Sequence, residues 1–243
     1  MVAVIKGGTN ICGVSIGVLS LESYFPKPPG HIKNPSSLPF TLSYEIISGL
    51  TVPSLLNAPS TEMIKPLVEA ARRLEASGVK AITGSCGFLA LYQNEIARSV
   101  SVPVCVSSLL MAPLIHAMTA RPVGVLTASS DALTDAHLSA VGAQHIPLII
   151  EGMDQSAEFS KVILRGECND MDLDLIEADL IAAGQRLVGR APEVGAVLLE
   201  CTDLPPYAAP LQKAIRRPVF DIVSLTGLVH SATQRAPFPG FVH

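Results

Sequence analysis

Apolar positions along this chain come in short runs separated by helical patterns, and the same alternation occurs twice. Residues 14–20 and 122–127 are apolar, β-rich runs bounded by small and polar residues. Runs of this kind predict buried parallel strands, one opening each half of the chain. The core of the first, Ile16-Gly17-Val18-Leu19-Ser20, recurs as Val123-Gly124-Val125-Leu126-Thr127. Behind Ser60-Thr61-Glu62, residues Ile64, Leu67, Val68, Ala71 and Leu74 have helical spacing, predicting a helix over 60–77. Gly78 closes it, and Val79 to Thr83 returns as a strand. The second half repeats this with a helix from about Leu173 to Val188 and a strand from Ala196 to Leu199. A helix capped by Ser129 or Ser130 and running to Gly142 is expected after the mid-chain strand. Strands joined by helical crossovers make right-handed parallel sheets, so the fold class is α/β.

The two halves align without a gap at the spacing that separates Cys86 from Cys201 (201 − 86 = 115). Val79, Ala81 and Ile82 fall on Val194, Ala196 and Val197; Tyr92 falls on Tyr207, and Pro103-Val104 on Pro218-Val219. A duplicated half predicts two pseudo-symmetric parallel-sheet domains with an active-site cleft between them. Residues 1–112 with 218–243 are assigned to the first, carrying Cys86, and 113–217 to the second, carrying Cys201. From Phe25 to Ser37 the prolines and Gly30 predict a long loop, a form often used as a lid or binding loop.

Composition narrows the partners. Across 243 residues, 49% are apolar and 16% charged, and the net charge of −4 comes with scattered basic residues. That pattern predicts neither a nucleic-acid groove nor a polybasic membrane patch, and no run is long and apolar enough for a membrane span. The positive mean hydropathy predicts that self-association covers some apolar surface, giving a homo-oligomer. Ile11 to Leu21 is apolar enough to suggest a signal peptide, but its mid-chain copy favours a strand. The odd count of five cysteines, without short metal-ligand spacing, predicts reduced thiols in a cytosolic protein. No metal site, phosphate loop or dinucleotide fingerprint is present, and no cofactor is expected.

Cys86 and Cys201 each follow a strand and precede a helix. Ligands of open α/β sheets bind beyond the carboxyl ends of the strands, where helix N-termini offer free N–H groups. Backbone groups of Gly87, Phe88 and Thr202 are placed to hold a substrate carboxylate, and small residues such as Ser85 and Gly87 permit close approach. The same helix ends should lower the thiol pKa toward neutrality. Two facing thiols could then act as acid and base on opposite faces of a bound molecule. Each cysteine alone could equally be a buried structural residue, as is expected for Cys12, Cys105 and Cys168. Ser20 and Thr127, at equivalent strand ends, could bind carboxylate oxygens or serve as caps. Asn34 could bind substrate or stiffen its loop, and Lys27, His31 and Lys33 could merely solvate it.

Leu199-Glu200-Cys201-Thr202-Asp203-Leu204-Pro205 resembles the second cysteine motif of the aspartate/glutamate racemase superfamily. That group includes hydantoin racemases, maleate isomerases and arylmalonate decarboxylase. The resemblance extends through the paired halves to Pro218-Val219-Phe220-Asp221. It implies a cofactor-independent racemase or epimerase of a small carboxylate, such as an aspartate-like or hydantoin-like substrate. Cys86 and Cys201 would exchange the α-proton, and Thr202 would help bind the carboxylate. The alternatives are a cis-trans isomerase or decarboxylase of a small diacid, or a small-anion-binding thiol sensor. Departures from the pattern are Gly87-Phe88, where amino-acid racemases have Asn-Thr, and Asp203, where glutamate racemases have His. The loop around His31 resembles one in which an acidic residue is expected at that position.

Overall fold

The computed structural model describes residues 7–9 and 11–241. The first half runs β1 (Ile16–Leu21), β2 (Leu42–Ile47), α1 (Val52–Asn57), α2 (Ile64–Ala76), β3 (Ala81–Gly84), α3 (Gln93–Ser99) and β4 (Val104–Cys105). The second runs α4 (Ala112–Thr119), β5 (Val123–Thr127), α5 (Asp135–Ala140), β6 (Leu148–Gly152), α6 (Ala157–Phe159), α7 (Leu173–Arg190), β7 (Ala196–Leu199), α8 (Ala208–Ile215) and β8 (Val219–Phe220). A last helix, α9 (Ile222–Thr233), follows.

Each half forms a four-stranded sheet, in the orders β2-β1-β3-β4 and β6-β5-β7-β8, and every pairing is parallel. The two orders are superimposable, as the sequence repeat requires. β1, β3, β5 and β7 are fully buried and apolar because helices cover both faces, the usual condition of parallel sheets. α2 covers its sheet with Leu67, Ala70, Ala71 and Leu74, and α7 does the same with Ile176, Leu180, Ala183 and Leu187. Burying each such leucine or isoleucine stabilises the fold by about 1.5–3 kcal/mol.

The halves exchange helices. α4 follows the first sheet but packs on β5 and β7 of the second, whereas α9 follows the second and packs on β3 of the first. Thr226 of α9 donates its hydroxyl to Thr83 Oγ1 (3.1 Å), and Ser108, just before α4, donates to the Leu199 carbonyl (2.7 Å). The crossing back to the first sheet starts at Asp221, the N-cap of α9, because Val219–Phe220 still pairs with β7.

Two local expectations change. The helix expected from Ser130 to Gly142 covers only Asp135–Ala140, since Thr134 caps it together with His137 and residues 129–133 form a turn. The edge strands β2 and β6 were not anticipated: both are largely half-buried, without the apolar continuity of their neighbours.

Candidate active site

β3 and β7 end side by side at the junction of the halves, and each ladder extends one residue further. Ser85 N–H donates to the Leu19 carbonyl (2.9 Å) and Glu200 N–H to the Leu126 carbonyl (2.8 Å). Ser85 and Glu200 are therefore equivalent positions, followed by the pairs Cys86/Cys201, Gly87/Thr202 and Phe88/Asp203. The cysteines are 7% and 5% exposed; Cys86 feels Glu200 and Asp203 of the other half, and Cys201 feels Cys86.

Apart from the two cysteines, the paired positions are chemically unequal. Ser85 Oγ accepts the Leu21 N–H (2.9 Å). Glu200 occupies the corresponding place with a carboxylate, taking the Thr127 hydroxyl on Oε2 (2.8 Å), and the nearby Ala128 N–H favours its charged form. Its Oε1 is buried without a hydrogen-bond partner among the described residues. Thr202 donates its hydroxyl to the Ser85 carbonyl (2.6 Å), stapling one half to the other. Its counterpart Gly87 lies against Glu200 so tightly that a Cβ there would overlap Glu200 Oε1 and its carbonyl oxygen. Phe88 is 1% exposed and packs edge-on against His137 of α5, ring centroids 5.1 Å apart.

Asp203 is the centre of a chain that crosses the cleft. The Cys201 thiol donates to Asp203 Oδ2 (3.5 Å), and His31 Nε2 lies 2.7 Å from Asp203 Oδ1. Because His31 Nδ1 accepts the Lys33 N–H (2.9 Å), the imidazole proton sits on Nε2 and is donated to Asp203. His31 is 2% exposed, carried on the long loop of the first half. That loop closes over the second half at Gly30 (φ +102°), where a Cβ would lie 2.7 Å from Pro206 Cα. Lys27 and Lys33 stand nearby. Lys27 lies 3.8 Å over the Phe25 ring and donates to backbone carbonyls, and Lys33 donates to the Leu21 carbonyl (2.7 Å). Burial lowers both lysines, Lys27 to about 8, while Asp203 works in the opposite direction. A cleft of about 400 Å³ opens beside this loop, between Glu22–Phe25, Thr51–Pro53 and residues 162–169. Phe25 forms part of its wall and meets His31 edge-on at 6.5 Å.

Several expectations about individual side chains are corrected. Neither thiol is pulled toward neutrality. Burial raises both, and carboxylates add to it, Glu200 foremost at Cys86 and Asp203 at Cys201. The opposing contributions are single N–H groups two residues on, Phe88 for Cys86 and Asp203 for Cys201. They come from a turn and a 3-10 segment, Gly87–Tyr92, rather than from an α-helix. Phe88 lies in the inter-half core. Asn34 spends its side chain inside its own loop, donating to the Lys27 carbonyl (2.8 Å) and accepting from Ser36 (3.0 and 2.7 Å). Ser20 is buried on β1 with a long bond to the Leu21 carbonyl (3.4 Å), and Thr127 is committed to Glu200. Glu200, Asp203 and His31 were not anticipated as site residues. The first two flank Cys201 and carry charge straight after an apolar strand, which was a readable signal. His31 lies 172 residues from its partner and gave none.

Two parallel α/β halves that exchange helices and meet at paired strand-end cysteines define a two-thiol α/β protein. The chain belongs to the Asp/Glu/hydantoin racemase family, whose pattern matches residues 65–226. Its fold is that of arylmalonate decarboxylase, with a TM-score of 0.59 at 14% identity over 90% of this chain and 92% of that one. In sequence it is 33% identical to dimethylsulfoniopropionate lyase 5 of Emiliania huxleyi (strain CCMP1516), over 92% of this chain but 46% of that protein. It is 28% identical to the dimethylsulfoniopropionate lyase of Durusdinium sp. clade D, over 88% of this chain and 73% of that protein. The chain thus spans about half the length of the first relative. These lyase relatives overturn the expectation of a racemase, and with it the assignment as an isomerase. No helix among the described residues is long and apolar enough to cross a membrane.

Proposed function

We propose that this protein is a lyase that cleaves dimethylsulfoniopropionate, or a close β-sulfonio carboxylate, by β-elimination. The observation that carries the reading is the bond from the Cys201 thiol to Asp203, backed by His31. The choice of substrate is supported by the sequence relatives named for it.

Elimination needs one base on one face, which suits a site whose pseudo-symmetric thiols have unequal surroundings. Cys201 passes its proton to Asp203 and, as thiolate, removes a proton from the carbon next to the substrate carboxylate. The C–H electron pair becomes the new C=C bond. The C–S bond breaks with its electrons staying on sulfur, so the sulfonium leaves as neutral dimethyl sulfide and acrylate remains. The abstracted proton stays on Cys201 and restores its thiol, while Asp203 releases to solvent the proton it took at the start, so the reaction balances as acrylate, dimethyl sulfide and one proton. Raised thiol pKa values fit this scheme. The site is closed to water and carries carboxylates, so a thiolate forms there most easily when a cationic substrate compensates its charge. Cys86, with Glu200 as its foremost charged neighbour, stays protonated and donates to the carboxylate as it gains enediolate character.

The test is incubation with dimethylsulfoniopropionate, with headspace gas chromatography for dimethyl sulfide and proton NMR for acrylate. Cys201→Ala is expected to lower kcat by about 10³-fold or more, as for loss of a catalytic base, and Cys86→Ala by about 10²-fold. Unchanged product release from Cys201→Ala would refute the assignment of the base, and absence of both products from the wild type would refute the reaction.

A further inference from the structure

Glu200 has no role in the proton path just described, yet it is the most unusual group in the site. It is a fully buried carboxylate in the place where the other half has Ser85. Ser85 shows that this strand end needs only a hydroxyl, since its Oγ takes the Leu21 N–H where Glu200 faces the equivalent Ala128 N–H. The extra carboxylate oxygen is therefore surplus to the fold. It is also held at a cost, because a buried oxygen without a donor forfeits its hydration. Gly87 makes room for it: any side chain at that position would overlap Oε1. The groups around it are Cys86 and Gly87 from the opposite half, Thr127 and Ala128 from the end of β5, and Cys201 and Asp203 from its own turn. None of these is a cation.

We propose that Glu200 recognises the positively charged end of the substrate, its donor-free Oε1 beside Cys86 acting as the counter-charge for a sulfonium or related onium group. The inference rests on the lyase reading above and specifies which substrates that site selects. The chemistry of the ligand matches the chemistry of the oxygen. A trialkyl onium carries a full positive charge but no N–H or O–H, so it offers attraction without a hydrogen bond. A primary ammonium would instead demand several acceptors arranged around it. A dianionic substrate such as a dicarboxylate would be repelled by the same group, and Asp203 adds to that repulsion. Burial raises Glu200 to about 7, so the counter-charge is present above neutral pH and fades below it.

Two probes of the same shape separate charge from fit: the zwitterion 3-(trimethylammonio)propanoate and 4,4-dimethylpentanoate, its carbon isostere with an uncharged head group. Their affinities for the full chain are measured by calorimetry at pH ~8, where Glu200 is ionised. The wild type is expected to bind the onium probe about tenfold or more tighter than its carbon isostere. Glu200→Gln, which keeps the size and removes the charge, is expected to bring the ratio near one, and Glu200→Asp to keep part of the preference. The wild type also serves without any substitution, since the ratio should collapse between pH ~8 and ~5.5 as Glu200 takes up its proton. The thiols and Asp203 also face Glu200, so the same pH series on Asp203→Asn identifies which carboxylate titrates; a collapse that persists there supports Glu200. A ratio unchanged in Glu200→Gln or across pH, or failure of the wild type to bind either probe, overturns the proposal. Preference for the cation without release of dimethyl sulfide from dimethylsulfoniopropionate leaves Glu200 as an onium site and removes the lyase reading instead.

Discussion

Replacing His31 by Ala tests whether the long first-half loop is fastened over the site by its bond to Asp203. The imidazole and the carboxylate are 2% and 8% exposed and 2.7 Å apart, so water cannot restore what the substitution removes. A hydrogen bond to a charged acceptor contributes about 1.5–3 kcal/mol, and leaving the carboxylate buried without its donor carries the cost toward 3–5 kcal/mol. For a chain of this size, each kcal/mol lowers Tm by about 2–4 °C, so a loss of about 3 kcal/mol predicts a fall of roughly 6–12 °C. A single variant mixes this bond with the acceptor that His31 Nδ1 provides to the Lys33 N–H. The double-mutant cycle of His31→Ala with Asp203→Ala isolates the pair, because the Lys33 loss occurs in both arms that lack His31. Urea unfolding followed by circular dichroism should give a coupling of about 2 kcal/mol. The same variant should lower kcat through misplaced Asp203, even at temperatures where it stays folded. A coupling below about 0.5 kcal/mol, or full activity in His31→Ala, would refute the idea that His31 orients Asp203.

Two further outcomes follow from Glu200 and Gly87. The native state holds the Glu200 proton up to about 7, whereas an unfolded chain releases it near 4.5, so in that window the native state binds more protons and stability falls as pH rises. That contribution is about 3 kcal/mol between pH 4.5 and 7, and Glu200→Gln should flatten the decline in urea midpoint between pH ~5 and ~8; an unaltered slope would exclude Glu200 as its source. Gly87→Ala should push Glu200 off its seat, lowering stability by about 1–3 kcal/mol as overpacked cores do. It should also lower turnover, and a variant that melts and reacts like the wild type would show that Glu200 does not press on Gly87.

What was readable in the chain and what was not divide along a physical line. Continuous apolar runs and helical spacing announce β1, β3, β5, β7, α2 and α7, because burial on both faces imposes composition on those segments. Leu42–Ile47 and Leu148–Gly152 are sheet edges, where half-exposure admits Ser43 and Glu45 and ion pairs with Arg186 and Arg190 admit the buried Glu151. The two cysteines were legible because the repeat aligns them. Their acidity was not, since burial and neighbouring carboxylates outweigh the N–H groups that a helix start would offer. Asn34 could be placed in a loop, but only the structure shows that both ends of its amide are consumed there. His31 became a site residue only through folding, since nothing local distinguishes it from a solvated loop histidine.

The inequality between the halves bears directly on the kind of reaction the site can support. A racemase has to take and return a proton on opposite faces, which favours two thiols of matched acidity. Here the turn that carries Cys201 supplies both carboxylates, Glu200 and Asp203, while the equivalent first-half positions are Ser85 and Phe88. Burial and then this negative charge raise both thiols, but of the two only Cys201 has a hydrogen-bonded carboxylate among the described residues to receive its proton. A substrate that loses a proton and then a leaving group needs one such base and gives no proton back to the opposite face. If it also brings a positive charge, the carboxylates that would hinder a dicarboxylate become its binding energy, and that charge relieves the thiolate at the moment it forms. The departure of a neutral sulfide then removes that compensation and favours reprotonation of the site. The asymmetry that separates Cys201 from Cys86 is thus what a one-sided elimination on an onium carboxylate requires.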